Sequence, residues 1–234
     1  MKNKNPIPSV DKAPTTNKAP TINNITVSGL PGSGSTTLLA ELKKVLQFHG
    51  WRGFSGGEFM RAYAQENGLL DPKTGKLHHD ATIYSDDFDR QVDYGMRHRL
   101  ETEKNWILES WLSGFLAQNI PGVCKILLVC SDDAVRIDRI VNRDEVSVEE
   151  AKHHILERAK KNISKWRVMY KKEWEEWVVK TGKATAEEEI DFYKPDLYDI
   201  VIDTFSINKQ KTLEMVLDAL YASRPELKPP TEKA

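Results

Sequence analysis

The densest chemistry in this chain lies in GLPGSGSTT, Gly29 to Thr37. Gly29, Gly32 and Gly34 allow the tight, left-handed backbone that a loop wrapped around an anion needs. Ser33, Ser35, Thr36 and Thr37 add hydroxyls. The run nearly matches GxxxxGK[ST], with Gly29, Gly34 and Thr36 in register and Ser35 at the lysine position. In such a turn, backbone N–H groups and the positive end of the next helix converge on one spot, where a phosphate fits. The plain alternative is a Gly/Ser-rich connection between two elements. Ile25 and Val27 before it read as a buried strand. Leu38, Leu39, Leu42, Val45 and Leu46 after it recur at helical spacing, and that context favours the phosphate.

Other constellations follow downstream. Ser55 to Arg61 (SGGEFMR) offers N–H donors at a loop-to-helix join, with Gly57 in the join and Arg61 one turn on; it reads as a second phosphate site or as an ordinary helix cap. Glu109 ends the apolar run Trp106–Leu108, and an acid at a strand tip beside a phosphate loop often orients Mg²⁺ through water; a capping carboxylate is the alternative. Arg136, Arg139 and Arg143 share one helix face, and Arg158, Lys161 and Lys165 repeat that spacing, with Arg167 close by. Such a cluster could clamp a triphosphate, although each cation taken singly reads as a solvated charge. Asp89 and Asp93 share a face and suit a base or ribose, or plain solvation beside Arg90 and Arg97. His78, His79, His153 and His154 lack metal-site spacing. Trp166, Trp174 and Trp177 read as packing, with base stacking as the rival.

These residues need a frame, and the chain supplies alternating elements. Strands are expected at Ile25–Ser28, Arg52–Ser55, Trp106–Glu109, Cys124–Cys130 and Tyr198–Asp203. Helices are expected at Ser35–His49, Glu58–Glu66, Asp86–Lys104, Leu112–Asn119, Ser131–Arg143, a long stretch from Ser147, and Lys209–Tyr221. That alternation predicts an α/β fold, a mostly parallel sheet covered on both faces, with ligands at the C-terminal strand ends. The 234 residues suit one large domain with tails at 1–23 and 222–234 that are expected to be disordered. A net charge of -1 gives no basic field for nucleic acid. Cys124 and Cys130 sit ~20 Å apart on one strand, too far to bond, and suggest a reducing compartment. No apolar run reaches the ~20 residues of a membrane helix. The N-terminus lacks a secretory h-region, so the cytoplasm is expected.

Taken in order, these motifs resemble the archaeal-type cytidylate kinases, a family of P-loop nucleoside monophosphate kinases. GLPGSGSTT is similar to that family's GxPGSGTTT, Ser55–Arg61 to SAGEIFR, and Phe88–Asp93 (FDRQVD) to IDRELD. Ile107–Gly114 (ILESWLSG) is similar to VLEGRLAG, Arg139–Ala151 (RIVNRDEVSVEEA) to RIAEREGISVEEA, and Tyr198–Thr204 to YDLVIDT. The resemblance spans about Asn24 to Leu220. It implies a three-layer fold with a five-stranded parallel sheet in the order 2-3-1-4-5, a kinase domain over residues 24–221 and a helical lid over about 140–195. Two departures stand out. Trp111 occupies the position of a family arginine, and insertions fall at 68–80 and 171–195.

The resemblance further implies an enzyme that uses ATP with Mg²⁺ to phosphorylate CMP or dCMP, acting as a monomer. Gly29, Gly32, Ser33, Gly34, Ser35, Thr36 and Thr37 would bind ATP, with Arg139 flanking its base. Thr36 and Glu109 would serve the metal. Arg143, Arg158 and Arg167 would neutralise the transferring phosphoryl. Ser55, Gly57, Arg61, Asp89 and Asp93 would hold the nucleoside monophosphate. Arg97 and Arg99 are the nearest replacements in sequence for the missing arginine, and valine at Gly34 is expected to crowd the loop. The rival readings are a degenerate nucleotide-binding module without catalysis, and a kinase with another acceptor such as AMP or UMP.

Overall fold

The run Val123–Val129 is apolar almost throughout, the pattern of a strand covered on both faces, and it lies inside the sheet, paired on either side. A computed structural model describes residues 21–69 and 84–229 of the chain. The expected tails at 1–20 and from 230 onward, and most of the 68–80 insertion with His78 and His79, lie outside the described residues. Five strands form one sheet: β1 Asn24–Gly29, β2 Arg52–Ser55, β3 Trp106–Glu109, β4 Val123–Val129 and β5 Ile200–Asp203. Their order is β2-β3-β1-β4-β5, and every neighbouring pair is parallel.

The helices are α1 Ser35–Leu46, α2 Gly56–Glu66, α3 Asp86–Thr102, α4 Ser113–Leu116, α5 Asp133–Asp144, α6 Val148–Lys152, α7 Ala159–Met169, α8 Lys171–Trp174 and α9 Lys209–Ser223. On one face of the sheet, Leu38, Leu39 and Leu42 of α1 and Leu213, Val216 and Leu220 of α9 pack on Ile25, Val27 and Ile126. On the other, α3, α4, α7 and α8 close over Leu108 and Leu127. The register aligns Val27, Glu109 and Ser55 across three strands at the C-terminal edge, which fixes where the site forms.

Two expected boundaries shift, each for a packing reason. The C-terminal tail begins later than residue 222. Leu227 is buried in the α1/α9 core, and Arg224 donates to Asn105 Oδ1 at 2.8 Å with its guanidinium 5.8 Å from the Trp51 ring centre. At the other end, Asn23 already donates its N–H to the Gly122 carbonyl at 2.7 Å. The 140–195 stretch is also not all lid. Trp174, Trp177 and Phe192 enclose Phe115 of α4 at ring distances of 6.2, 5.4 and 4.8 Å. The 171–195 insertion therefore builds core. Gly114 lets Tyr198 lie against α4, since a Cβ there would sit 2.2 Å from Tyr198 Cε1. Among the described residues, no helix is long and apolar enough to cross a membrane.

Candidate functional site

The loop between β1 and α1 is shaped by contacts to its carbonyls. Arg136 Nε donates to the Pro31 carbonyl at 3.1 Å, and Arg139 Nη1 to the Gly32 carbonyl at 2.9 Å. The Thr204 hydroxyl reaches the Ser33 carbonyl at 2.9 Å. A trans peptide points the next N–H the opposite way, so engaging these carbonyls turns the N–H groups of Gly32 and Gly34 away from α5 and β5. Gly32 and Gly34 adopt φ of 82° and 94°. Gly34 begins α1 with no side-chain cap, whereas α2, α3, α5, α6 and α9 are each capped by a side-chain oxygen of Ser, Asp or Asn. The first N–H groups of α1 have no intrahelical partner and open onto a cleft of about 680 Å³.

Glu109 ties the two halves of that cleft together. Ser35 Oγ donates to its Oε1 and Ser55 Oγ to its Oε2, each at 2.7 Å. Ser35, at the lysine position of the motif, thus joins the start of α1 to β3, and Ser55, the cap of α2, joins the neighbouring helix. The carboxylate is 5% exposed. Burial pushes its pKa up, while the two serine bonds and the charge of Arg61 pull it down.

On the far side the cleft is closed by α3, α5 and the helix from 148 to 169. Arg61, Asp89, Asp93, Arg143, Arg158 and Trp166 all line it. Asp89 accepts from Lys165 Nζ at 2.8 Å, and Tyr170 donates its hydroxyl to Asp93 Oδ2 at 2.6 Å. Burial raises the Asp89 pKa against the pull of Lys165. For Asp93 burial is again the largest cause, and with Asp89 opposing its ionisation the carboxyl is pushed from the ordinary 3.8 up to about 7, despite Tyr170, Arg90 and Lys165. Such a carboxyl costs stability as pH rises. The folded chain holds the proton more tightly than the unfolded one, so stability is fullest below about pH 4 and is lost as pH climbs through about 7. Asp93→Asn keeps an acceptor for Tyr170 and removes the charge. Its Tm is expected to exceed the wild type's by several degrees at about pH 8, with a smaller gap at about pH 5, read by thermal melts. An equal gap at both would contradict this.

Several expected site residues are placed differently. Arg167 does not line the cleft. Its Nε donates to the Ile190 carbonyl at 2.8 Å and its Nη1 pairs with Glu189, so it anchors the insertion. Arg139 does line the cleft, but both Nη atoms are taken by Gly32 and Thr204, which makes it a strut for the loop. Arg143 pairs through Nε and Nη2 with Asp144, both at 2.7 Å. Arg97 and Arg99 lie away from the cleft: Arg97 donates to the Leu116 carbonyl at 2.6 Å, and Arg99 lies 4.3 Å from the Trp106 ring centre, at the opposite end of β3 from Glu109. Gly29, Ser33, Ser35, Thr36, Thr37, Ser55 and Gly57 all face the cleft. Thr204 and Asn162 line the cleft and were given no role from sequence; for Thr204 the signal was its place just past a buried strand, beside the loop. Lys165, grouped from sequence with the cations that could clamp a triphosphate, pairs instead with Asp89.

Comparison with known proteins gives four findings. Residues 25–163 match a family model described as an AAA domain. A cytidylate kinase of Methanosarcina acetivorans is 30% identical over 200 residues, spanning 85% of this chain and 96% of that protein. A cytidylate kinase of Methanosarcina barkeri is 30% identical over 198 residues, spanning 84% and 95%. Among solved structures, one from Eubacterium ventriosum superposes with a TM-score of 0.53 at 14% identity, covering 85% of this chain and 98% of that one, a likeness of fold.

Proposed function

Since this chain belongs to the cytidylate kinase family and is a nucleoside monophosphate kinase, we propose that it transfers the γ-phosphoryl of ATP to CMP or dCMP, giving ADP and CDP or dCDP. The observation that supports this most is a cleft bounded by two helix starts. The uncapped start of α1 faces it beside the start of α2 with Arg61, and Arg143 and Arg158 lie on its closing side.

In this reading, of the N–H groups from Gly32 to Thr36 those of Gly32 and of Gly34 to Thr36 hold the β-phosphate of the donor, while Ser33, whose N–H donates to the Leu30 carbonyl at 3.0 Å, and Thr37 shape the same loop. Arg61, with Ser55 and Gly57 at the start of α2, holds the acceptor phosphate. Asp89 and Asp93 face its base or sugar. An acceptor phosphate oxygen attacks the γ-phosphorus, and the bond to the β,γ-bridging oxygen breaks with its electron pair leaving on ADP. The attacking oxygen is already ionised, so no general base is needed. Arg143 and Arg158 balance the charge that spreads over the moving phosphoryl.

The donor set fits a Mg²⁺ brought in by the nucleotide. Among the described residues there is no cluster of three or more His, Cys, Asp or Glu able to cage a metal. Mg²⁺ commonly keeps several waters and binds through one or two protein oxygens plus substrate phosphates. Thr36 would supply a hydroxyl and Glu109 a carboxylate acting through water, because both of its oxygens already accept serine bonds. The ion would offset phosphate charge.

The test is ADP formation from ATP across CMP, dCMP, UMP and AMP. CMP and dCMP are expected to give the highest kcat/KM. Highest turnover with UMP or AMP would reassign the acceptor. ATP binding without acceptor-dependent ADP formation would leave a nucleotide-binding module without catalysis.

A further inference from the structure

Trp111 stands two residues past the end of β3 and lines the cleft, half-buried. The Arg158 guanidinium carbon lies 5.2 Å from the centre of its ring. The same indole meets Trp166 in a T-shaped contact at 5.4 Å and 85°. Trp166 is buried, and it sits on α7 in the helical stretch that carries Arg158 at its upstream end. The indole is therefore held by one residue of that stretch and lies under the guanidinium of another.

We infer that Trp111 is the positioning residue for Arg158: its ring, braced by Trp166, presents a flat π surface that holds the guanidinium over the phosphoryl-transfer cleft. A free arginine side chain has many rotamers, and ordering it costs entropy in each turnover. A cation contributes most to a phosphoryl-transfer transition state when it is already in place. An aromatic face adds to that order through the attraction between the guanidinium and the ring quadrupole. The rival role, a stacking surface for the acceptor base, would compete with Arg158 for Trp111. The inference rests on the reading above that Arg158 acts on the transferring phosphoryl.

A double-mutant cycle tests it, with kcat and acceptor KM measured for Trp111→Phe, Trp111→Leu, Arg158→Ala and Trp111→Leu/Arg158→Ala at saturating ATP and CMP. Trp111→Phe keeps a ring and is expected to stay within about threefold of wild type. Trp111→Leu should lower kcat about tenfold with little change in KM, and should cost nothing further once Arg158 is alanine. If Trp111→Leu does not fold, Trp111→Gln takes its place, keeping bulk without a π face. An equal loss from the Trp111 change in the Arg158→Ala background would overturn the positioning role while leaving Arg158 in the site. A rise in acceptor KM alone would overturn it in favour of base stacking. Wild-type turnover in Arg158→Ala would remove the underlying reading as well.

Discussion

Gly32→Val is expected to abolish nucleotide binding in calorimetry while the chain still melts cooperatively. Two costs combine at this position. Its φ is 82°, a region that costs an L-residue about 1–2 kcal/mol. A Cβ there would also lie 2.8 Å from the Arg136 carbonyl oxygen and 3.0 Å from its Cα. That neighbour is helix backbone, so the loop must move instead. Moving it breaks the bonds that Arg139 and Arg136 make to the Gly32 and Pro31 carbonyls, and those bonds orient the N–H groups toward the cleft. A loss of at least about a hundredfold in affinity, some 2.7 kcal/mol, is the expected scale. The two sheet cores do not include Gly32, so the fold should survive. Gly34 differs: its φ is 94°, yet a Cβ there meets nothing within 4 Å. Alanine there adds backbone strain without a clash, so Gly34→Ala should weaken binding less than Gly32→Val. Wild-type affinity for ATP with Mg²⁺ in Gly32→Val would show that the donor site lies elsewhere.

Much of this cleft was legible because local pattern and topology agree. A strand ending at Gly29, glycines at fixed spacing and an amphipathic helix allow few arrangements, and the structure has the expected strand order. Glu109 was legible as an acid at a strand tip, but its partners were not. Ser35 and Ser55 are separated from it by 74 and 54 residues, and only the sheet register brings them together. The tryptophans were read as packing from their apolar character, yet what they pack on is a matter of tertiary structure. Gly114 had to be small for Tyr198 to lie against α4, and nothing within either segment states that pairing.

Arg167 was misread for a reason the sequence did contain. It follows Arg158 by nine residues, about two and a half turns of α-helix. Residues at that spacing lie on opposite faces, so both cannot enter one cleft from one straight helix. The other basic residues were grouped by helical phase, but Arg167 was added to them by proximity in sequence alone. The π-helical turn from His153 to Arg158 alters that phase further upstream, and neither composition nor capping announces it.

That difference in phase sets the second expected result: Arg158→Ala and Arg143→Ala each lower kcat about a hundredfold or more, whereas Arg167→Ala stays near wild type. In the transition state charge is spread over the equatorial oxygens of the transferring phosphoryl, and a preorganised cation there contributes about 2.7–4 kcal/mol, or two to three decades in rate. Arg158 lines the cleft over Trp111. Arg143 lines it as well; the hydrogen bond to Asp144 is the largest cause of its raised pKa, and Glu109 adds to it. Asp144 engages Nε and Nη2, so Arg143 is oriented by its neighbour and can present Nη1 to a phosphate oxygen. Arg167 makes its contacts to Glu189 and Ile190 outside the cleft, and its loss should appear in Tm before it appears in kcat. The readouts are kcat and acceptor KM with ATP binding followed separately, since a cation acting only in the transition state lowers kcat without weakening the ground-state complex. Unchanged turnover in both Arg158→Ala and Arg143→Ala would reduce these arginines to solvated charges and remove the clamp from the mechanism.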